Sequence, residues 1–162
     1  MGVKFAAAFG AEVTMLSTSR SKEADARRLG AHHFLLTTDK EAMEKRENYF
    51  DFILNTVSAD HEYGPYMQLL RTNGTMIVVG VPPDPSKIPA FDLIMKRRSI
   101  MGSLIGGIKE TQEMLDFCAD HNIVSDVEVI PIQQINEAYE RVIKGDVRYR
   151  FVIDIASLKS EA

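Results

Sequence analysis

The chain has 162 residues, 45% hydrophobic and 26% charged, the size and composition of one soluble globular domain able to bury a core without staples. Nineteen Lys and Arg against 23 Asp and Glu give a net charge of −4, which argues against a dedicated nucleic-acid binder. A single cysteine, Cys118, excludes an intramolecular disulfide and a Cys-based zinc finger, and suits a reducing cytoplasm. No apolar run approaches the ~20 residues that span a bilayer, and residues 1–10 lack the features of a signal peptide, so no membrane partner is expected.

Residues 3–9 read as the end of an alanine-rich helix, with Gly10 as a left-handed stop. A strand is predicted over 12–17, and Ser19 as the cap of a helix over 22–29 that ends at Gly30. A short strand over 33–37 follows, then a polar helix over 41–47 capped by Asp39. The segment 50–56 (FDFILNT) reads as a buried strand, 60–70 as a helix and Asn73-Gly74 as a turn. The run 75–81 (TMIVVGV) is apolar without alternation, as expected of a parallel strand buried on both faces. After a proline-rich loop come a short helix over 91–96 and a strand over 99–105, closed by Gly106-Gly107. The strongest helical pattern covers 109–122, where Ile108, Met114, Leu115, Phe117 and Cys118 mostly share one face. A strand over 128–130, a helix over 135–144 stopped by Gly145, a strand over 150–155 and a frayed tail over 156–162 complete the chain.

This alternation of strands and helices predicts an α/β fold with right-handed crossovers. Two features depart from a doubly wound nucleotide fold. The chain opens in a helix with no strand before it, and it contains no Gly-x-Gly-x-x-Gly; the Gly-rich stretch 102–107 follows a different strand and lacks the spacing.

In order along the chain, the blocks VKFAAAFGAEVTMLSTSRSK (3–22), FDFILNTV (50–57), LLRTNGTMIVVGVP (69–82), IMGSLIGGIKETQEMLDFCADHNI (100–123) and INEAYERVIKGDVRYRFVIDI (135–155) resemble the C-terminal part of zinc-dependent, medium-chain alcohol dehydrogenases. The similarity is strongest to the cinnamyl alcohol dehydrogenase branch, which uses NADP. The resemblance implies a Rossmann-like doubly wound parallel sheet lacking its first strand and Gly-rich turn. A C-terminal segment that returns to the family's catalytic domain would follow. It places an incomplete NADP-binding domain over 1–122 and the return segment over 123–162, and it makes the chain a fragment. The family's zinc ligands lie in the portion not represented here. The absent strand is central in the family's order, so the strands over 12–17 and 50–56 are expected to face a gap, and a dimer or a marginal fold is expected.

In an NAD enzyme an acidic residue at the end of the strand over 12–17 would bond the ribose 2′-hydroxyl. Here Ser17, Thr18 and Ser19 supply hydroxyls, and Arg20 and Lys22 supply charge, which suits a 2′-phosphate. Without the family context the same residues make a strand end, a cap and solvated charges; with it, the NADP positions fall on Ser17, Thr18, Ser19 and Lys22. The resemblance sets Asn55, Thr56 and Val57 beside the adenosine and its ribose, and Gly80 and Val81 near the nicotinamide ribose. It sets Gly102, Ser103 and Leu104 at the nicotinamide and the edge of the substrate pocket. Plain alternatives remain: a strand-to-helix turn at Asn55–Val57, a turn glycine at Gly80 and an edge strand at Gly102–Leu104. The last segment also pairs across a homodimer in the family.

Cys118 reads as a buried structural thiol, and His32, His33, His61 and His121 as structural or solvated, because none shows metal-ligand spacing. The basic cluster 96–98 reads as a solvated turn, and 148–150 as a packing block. No catalytic residue and no metal ligand is expected in the chain. The implied whole is an NADP- and zinc-dependent enzyme that interconverts small alcohols and aldehydes by hydride transfer, with this chain inactive alone. The alternatives are a non-catalytic nucleotide-binding or dimerisation module, and an inert remnant.

Overall fold

The computed structural model describes residues 1–161, with side chains through Lys159. It divides into two compact units, the first running from Met1 to Leu115 and the second beginning at Asp116. In chain order the first unit carries α1 (Gly2–Ala8), β1 (Thr14–Ser17), a 3-10 turn (Arg20–Lys22), α2 (Glu23–Arg28), β2 (His33–Leu36) and α3 (Lys40–Glu44). These are followed by β3 (Phe50–Asn55), α4 (Gly64–Leu69), β4 (Leu70–Val78), α5 (Ala90–Ile94) and β5 (Ser99–Gly102). The helix α6 (Ile108–Asp120) runs across the division.

Local chemistry sets most of the element ends. The stop after α1 is Gly10 at φ +79°, where Gly10 N–H donates to Ala7 O (2.9 Å) and Ala11 N–H to Ala6 O (3.0 Å). These bonds satisfy carbonyls that the helix end would otherwise leave open, and glycine adopts the left-handed turn without a Cβ penalty. Asp39 caps α3 as its sequence predicts, its Oδ1 accepting from Ala42 N–H at 3.1 Å. Ser19 does not cap: its hydroxyl lies 2.8 Å from the Ser21 hydroxyl, and a 3-10 turn precedes α2 instead. Asn73-Gly74 does not end an element either. Asn73 takes φ +65° inside β4, and the pairing with β3 slips there, from Phe50↔Leu70 to Phe52↔Thr75.

All strand pairs among the described residues are parallel, but they form three separate sheets rather than one: β1-β2 and β3-β4-β5 in the first unit, and Glu128–Pro131 with Phe151–Asp154 in the second. The break falls where the sequence places it: β1 pairs with β2 and β3 with β4, so each keeps an open edge among the described residues. The two sheets of the first unit still share one core, in which Leu35 of β2 packs with Ile53, Tyr63, Met67, Leu69, Leu70 and Met76. Met67, Leu69, Leu70 and Met76 are fully buried. Burying a side chain of this size contributes ~1.5–3 kcal/mol. The strand over 50–56, expected to be buried, hides only Ile53 and Asn55; Phe52 on its other face is 68% exposed. On that side Phe50 packs against the core, while Phe52 and Leu54 stay exposed. The helix α6 fully buries no residue, and Cys118 is half-buried rather than buried.

The second unit holds β6 (Glu128–Pro131), a 3-10 turn (Ile132–Gln134), α7 (Ile135–Ile143), β7 (Phe151–Asp154) and a closing 3-10 helix (Ile155–Glu161). The tail expected to fray is docked through Ser157. Its hydroxyl accepts from Ile132 N–H (2.9 Å), and its carbonyl accepts from Gln133 Nε2 (3.2 Å). Ala162 lies outside the described residues. Arg141 of α7 ties the unit together. Its guanidinium donates to Glu128 (2.8 Å) and Asp146 (3.1 Å) and lies 4.7 Å over the Phe151 ring. Glu128 also accepts from Arg148 N–H at 3.0 Å, which gives the basic block 148–150 a structural role.

Two donors on one carboxylate favour its ionised form. The Arg148 backbone N–H and the Arg141 guanidinium therefore hold Glu128 below the usual glutamate value of 4.5. The stabilisation from this group is present above that value and disappears as the pH falls through the lowered one. A carboxyl-carbon NMR titration is expected to give Glu128 a midpoint below 4.5, and Arg141→Gln to move it upward. A wild-type midpoint at or above 4.5 contradicts this arrangement.

Candidate functional site

The carboxyl ends of β3, β4 and β5 lie side by side, with Asn55 paired to Val78 and Val78 to Gly102. In open parallel sheets this is the end at which ligands bind. Asn55 is a buried polar residue, 7% exposed, and it organises the corner. Its Oδ1 accepts from Val57 N–H (3.1 Å), and its Nδ2 lies 2.9 Å from His61 Nε2. Its backbone carbonyl accepts from both Val79 N–H (2.9 Å) and Gly80 N–H (3.2 Å).

Those two bonds bring the β4 end against the β3 turn. A Cβ at Gly80 would sit 2.4 Å from Val57 O and 2.8 Å from the Thr56 carbonyl carbon. The close approach that this glycine permits is therefore to the chain's own backbone at Thr56 and Val57. Further along, Val81 N–H donates to Ser58 Oγ (3.3 Å) and Asp84 N–H to Asp60 Oδ1 (3.4 Å). Two loops thus interlock rung by rung. Ser103 N–H joins from the β5 side by donating to Val78 O at 3.3 Å. Gly102 differs from Gly80, for its Cβ would meet only Val78 O at 3.9 Å, an ordinary contact. Val81 and Leu104 are 81% and 91% exposed, so the corner carries an apolar rim.

Ser17, Thr18, Ser19 and Lys22 follow the end of β1 in the other sheet, outside this hydrogen-bonded cluster. Ser17 Oγ accepts from Ser19 N–H at 3.2 Å, which folds the turn and clusters the hydroxyls of Ser17, Ser19 and Ser21. Thr18 and Lys22 are exposed, and Arg20 is held 4.0 Å from Glu23. Hydroxyl donors beside a cation suit a phosphate monoester.

Asn55–Val57, Gly80–Val81 and Gly102–Ser103 are therefore brought together, and the serine turn stands apart from them. The sequence reading missed Ser58, Asp60 and His61. The signal for the first two was the turn-forming chemistry of Ser and Asp just past a strand. His61 had none, since its partner Asn55 is set by the fold. Among the described residues no group of three His, Cys, Asp or Glu side chains could hold a metal ion, and no helix is long and apolar enough to cross a membrane.

A family profile for zinc-binding dehydrogenases matches residues 1–120. The chain belongs to that family. It is 52% identical over 160 residues to the NADP-dependent alcohol dehydrogenase C 1 of Mycolicibacterium smegmatis, covering 99% of this chain and 46% of that protein. It is 54% identical over 159 residues to the aldehyde reductase YahK of Escherichia coli, covering 98% and 46%. The chain thus spans about half the length of the curated relatives it matches (46%). Among solved structures, a cinnamyl alcohol dehydrogenase of Sorghum bicolor superposes with a TM-score of 0.92 at 43% identity, over 96% of this chain and 44% of that one. The cinnamyl alcohol dehydrogenase of Helicobacter pylori, solved with NADP(H), superposes with a TM-score of 0.83 at 37% identity, over 96% and 44%. The Rossmann-like α/β class is therefore the fold of this chain.

The Gly80 approach leads to a contrast between two glycines of one corner. Gly80→Ala is expected to lower stability by about 1–3 kcal/mol, the usual cost of overpacking. Gly102→Ala should cost well under half of that, because its new methyl meets only an ordinary contact. Urea unfolding of both variants measures the difference; equal costs contradict the interlocked-loop geometry.

Proposed function

We propose that this chain is the cofactor-binding part of an NADP-dependent alcohol dehydrogenase that interconverts small alcohols and aldehydes. The observation that carries the reading is the β1 end. Ser17, Thr18 and Ser19 present hydroxyls, Lys22 and Arg20 present charge, and no acidic residue occupies 17–22. A carboxylate there would repel a 2′-phosphate and favour NAD. The relatives named as NADP-dependent, and the neighbour solved with NADP(H), support the same choice.

In this reading Ser17, Thr18, Ser19 and Lys22 hold the 2′-phosphate. The turn Asn55-Thr56-Val57 flanks the adenosine and its ribose. Gly80 and Val81 border the nicotinamide ribose, and Gly102, Ser103 and Leu104 hold the carboxamide and edge the substrate pocket. A nicotinamide cofactor bound there would supply the hydride chemistry that interconverts aldehyde and alcohol. The chain's own part is to bind and orient: hydroxyls and a cation grip one end, and a strand-end corner borders the other.

Among the described residues no His, Cys, Asp and Glu grouping fits a zinc site, so no step is assigned to a metal held by this chain. The chain alone is proposed to bind cofactor without turnover. Residues 123–162 are proposed to pack against the catalytic part of the longer enzyme, and 102–105 to pair with a second copy in a homodimer. A cytoplasmic location is proposed, in keeping with the single free thiol.

Calorimetric titration of the purified chain with NADPH and NADH tests the reading. Binding of NADPH at least tenfold tighter than NADH is expected, with Lys22→Glu removing most of the preference. Equal affinity for the two, or none for either, overturns the assignment of Ser17–Lys22.

A further inference from the structure

We propose that His61 is a positioning residue for the cofactor-side corner: it fixes which way the Asn55 amide points, and through that amide it fixes the Val57 N–H. The proposal rests on the reading of Asn55–Val57 as a cofactor-facing turn. The chain of donors and acceptors determines itself. The Ala59 carbonyl can only accept, and it lies 2.8 Å from His61 Nδ1, so Nδ1 carries the ring proton. In that tautomer Nε2 offers a lone pair. It lies 2.9 Å from the Asn55 amide nitrogen, so that nitrogen donates. Only Oδ1 remains for the Val57 N–H, and it accepts that bond at 3.1 Å.

An asparagine amide has two orientations of nearly equal shape. With the Nδ1–H ring in place, the reversed one sets oxygen against a lone pair and NH2 against the Val57 N–H. Asn55 is 7% exposed, so water is poorly placed to relieve either contact. The His61 ring and the Val57 N–H thereby favour the same amide orientation from opposite sides.

The ring is itself held. Its centroid lies 5.0 Å from the Tyr63 ring, tilted at 42°, and 5.9 Å from the Tyr66 ring, edge-on at 84°. Tyr63 is 3% exposed and belongs to the shared core. The path of fixation runs from the core, through an aromatic cage, to His61, Asn55 and Val57. The Asn55 carbonyl adds Val79 and Gly80 to what is fixed. His61 touches no proposed cofactor atom and acts through the asparagine.

Ring-nitrogen NMR of the full 162-residue chain reads the tautomer directly, and the Nδ1–H form is expected for His61. Amide exchange at Val57 and NADPH titration are then compared between wild type, His61→Phe and His61→Gln. The phenylalanine keeps an aromatic ring and loses both nitrogens; the glutamine oxygen restores an acceptor for Asn55. His61→Phe is expected to speed Val57 exchange and weaken NADPH binding, each about tenfold, and His61→Gln to recover most of both. An Nε2–H tautomer overturns the proposal. So does a folded His61→Phe variant whose Val57 exchange and NADPH affinity match wild type. Should His61→Phe fail to fold, the wild-type tautomer and His61→Gln decide. If wild type binds no NADPH, the cofactor reading fails. The tautomer and the Val57 exchange then still decide whether His61 orients Asn55.

Discussion

The close approach of two strand ends governs the candidate site. Asn55 closes β3 with a side chain that bonds forward to Val57 and sideways to His61, while its carbonyl takes two N–H groups from the end of β4. That approach leaves no room for a side chain at Gly80. Two backbones locked at such range hold their loops in one geometry, which a site that orients a ligand by backbone groups requires. The Ser58 and Asp60 rungs extend the lock outward along the same pair of loops.

Much of the fold was legible because local chemistry decides it. The alanine run before Gly10, the Asp39 cap and the left-handed glycines at 10, 30 and 145 each dictate an element from a few neighbouring residues, whereas the run over 75–81, read as a strand buried on both faces, leaves its strand at Val78, with Val79 and Val81 exposed. What was not legible depends on partners distant in the chain. Ser19 has the composition of a cap, yet its hydroxyl finds Ser21. Asn73-Gly74 has the composition of a turn, yet β4 carries it as a slip in its register with β3. The segment 50–56 reads as buried by hydrophobicity alone, and Phe52 stands exposed because burial also needs a covering layer.

The site divides in the same manner. The serine turn at 17–22 was legible as chemistry: hydroxyls and cations at a strand end, with no carboxylate. The corner at Asn55 was legible only as a place where a ligand can lie. Its internal logic joins residues 55, 61 and 80, which no spacing rule connects. The exposed apolar side chains of Phe52 and Leu104 accord with a chain that spans about half the length of its relatives (46%).

The central claim is that the serine turn reads a 2′-phosphate. Its most direct measurement is an amide chemical-shift map of the chain titrated with adenosine 2′,5′-bisphosphate and, separately, adenosine 5′-monophosphate. Shifts at residues 17–22 that appear with the bisphosphate and are absent with the monophosphate are predicted, with smaller shifts at 55–57 in both. Identical maps for the two nucleotides, or a bisphosphate map that leaves 17–22 unmoved, would contradict it.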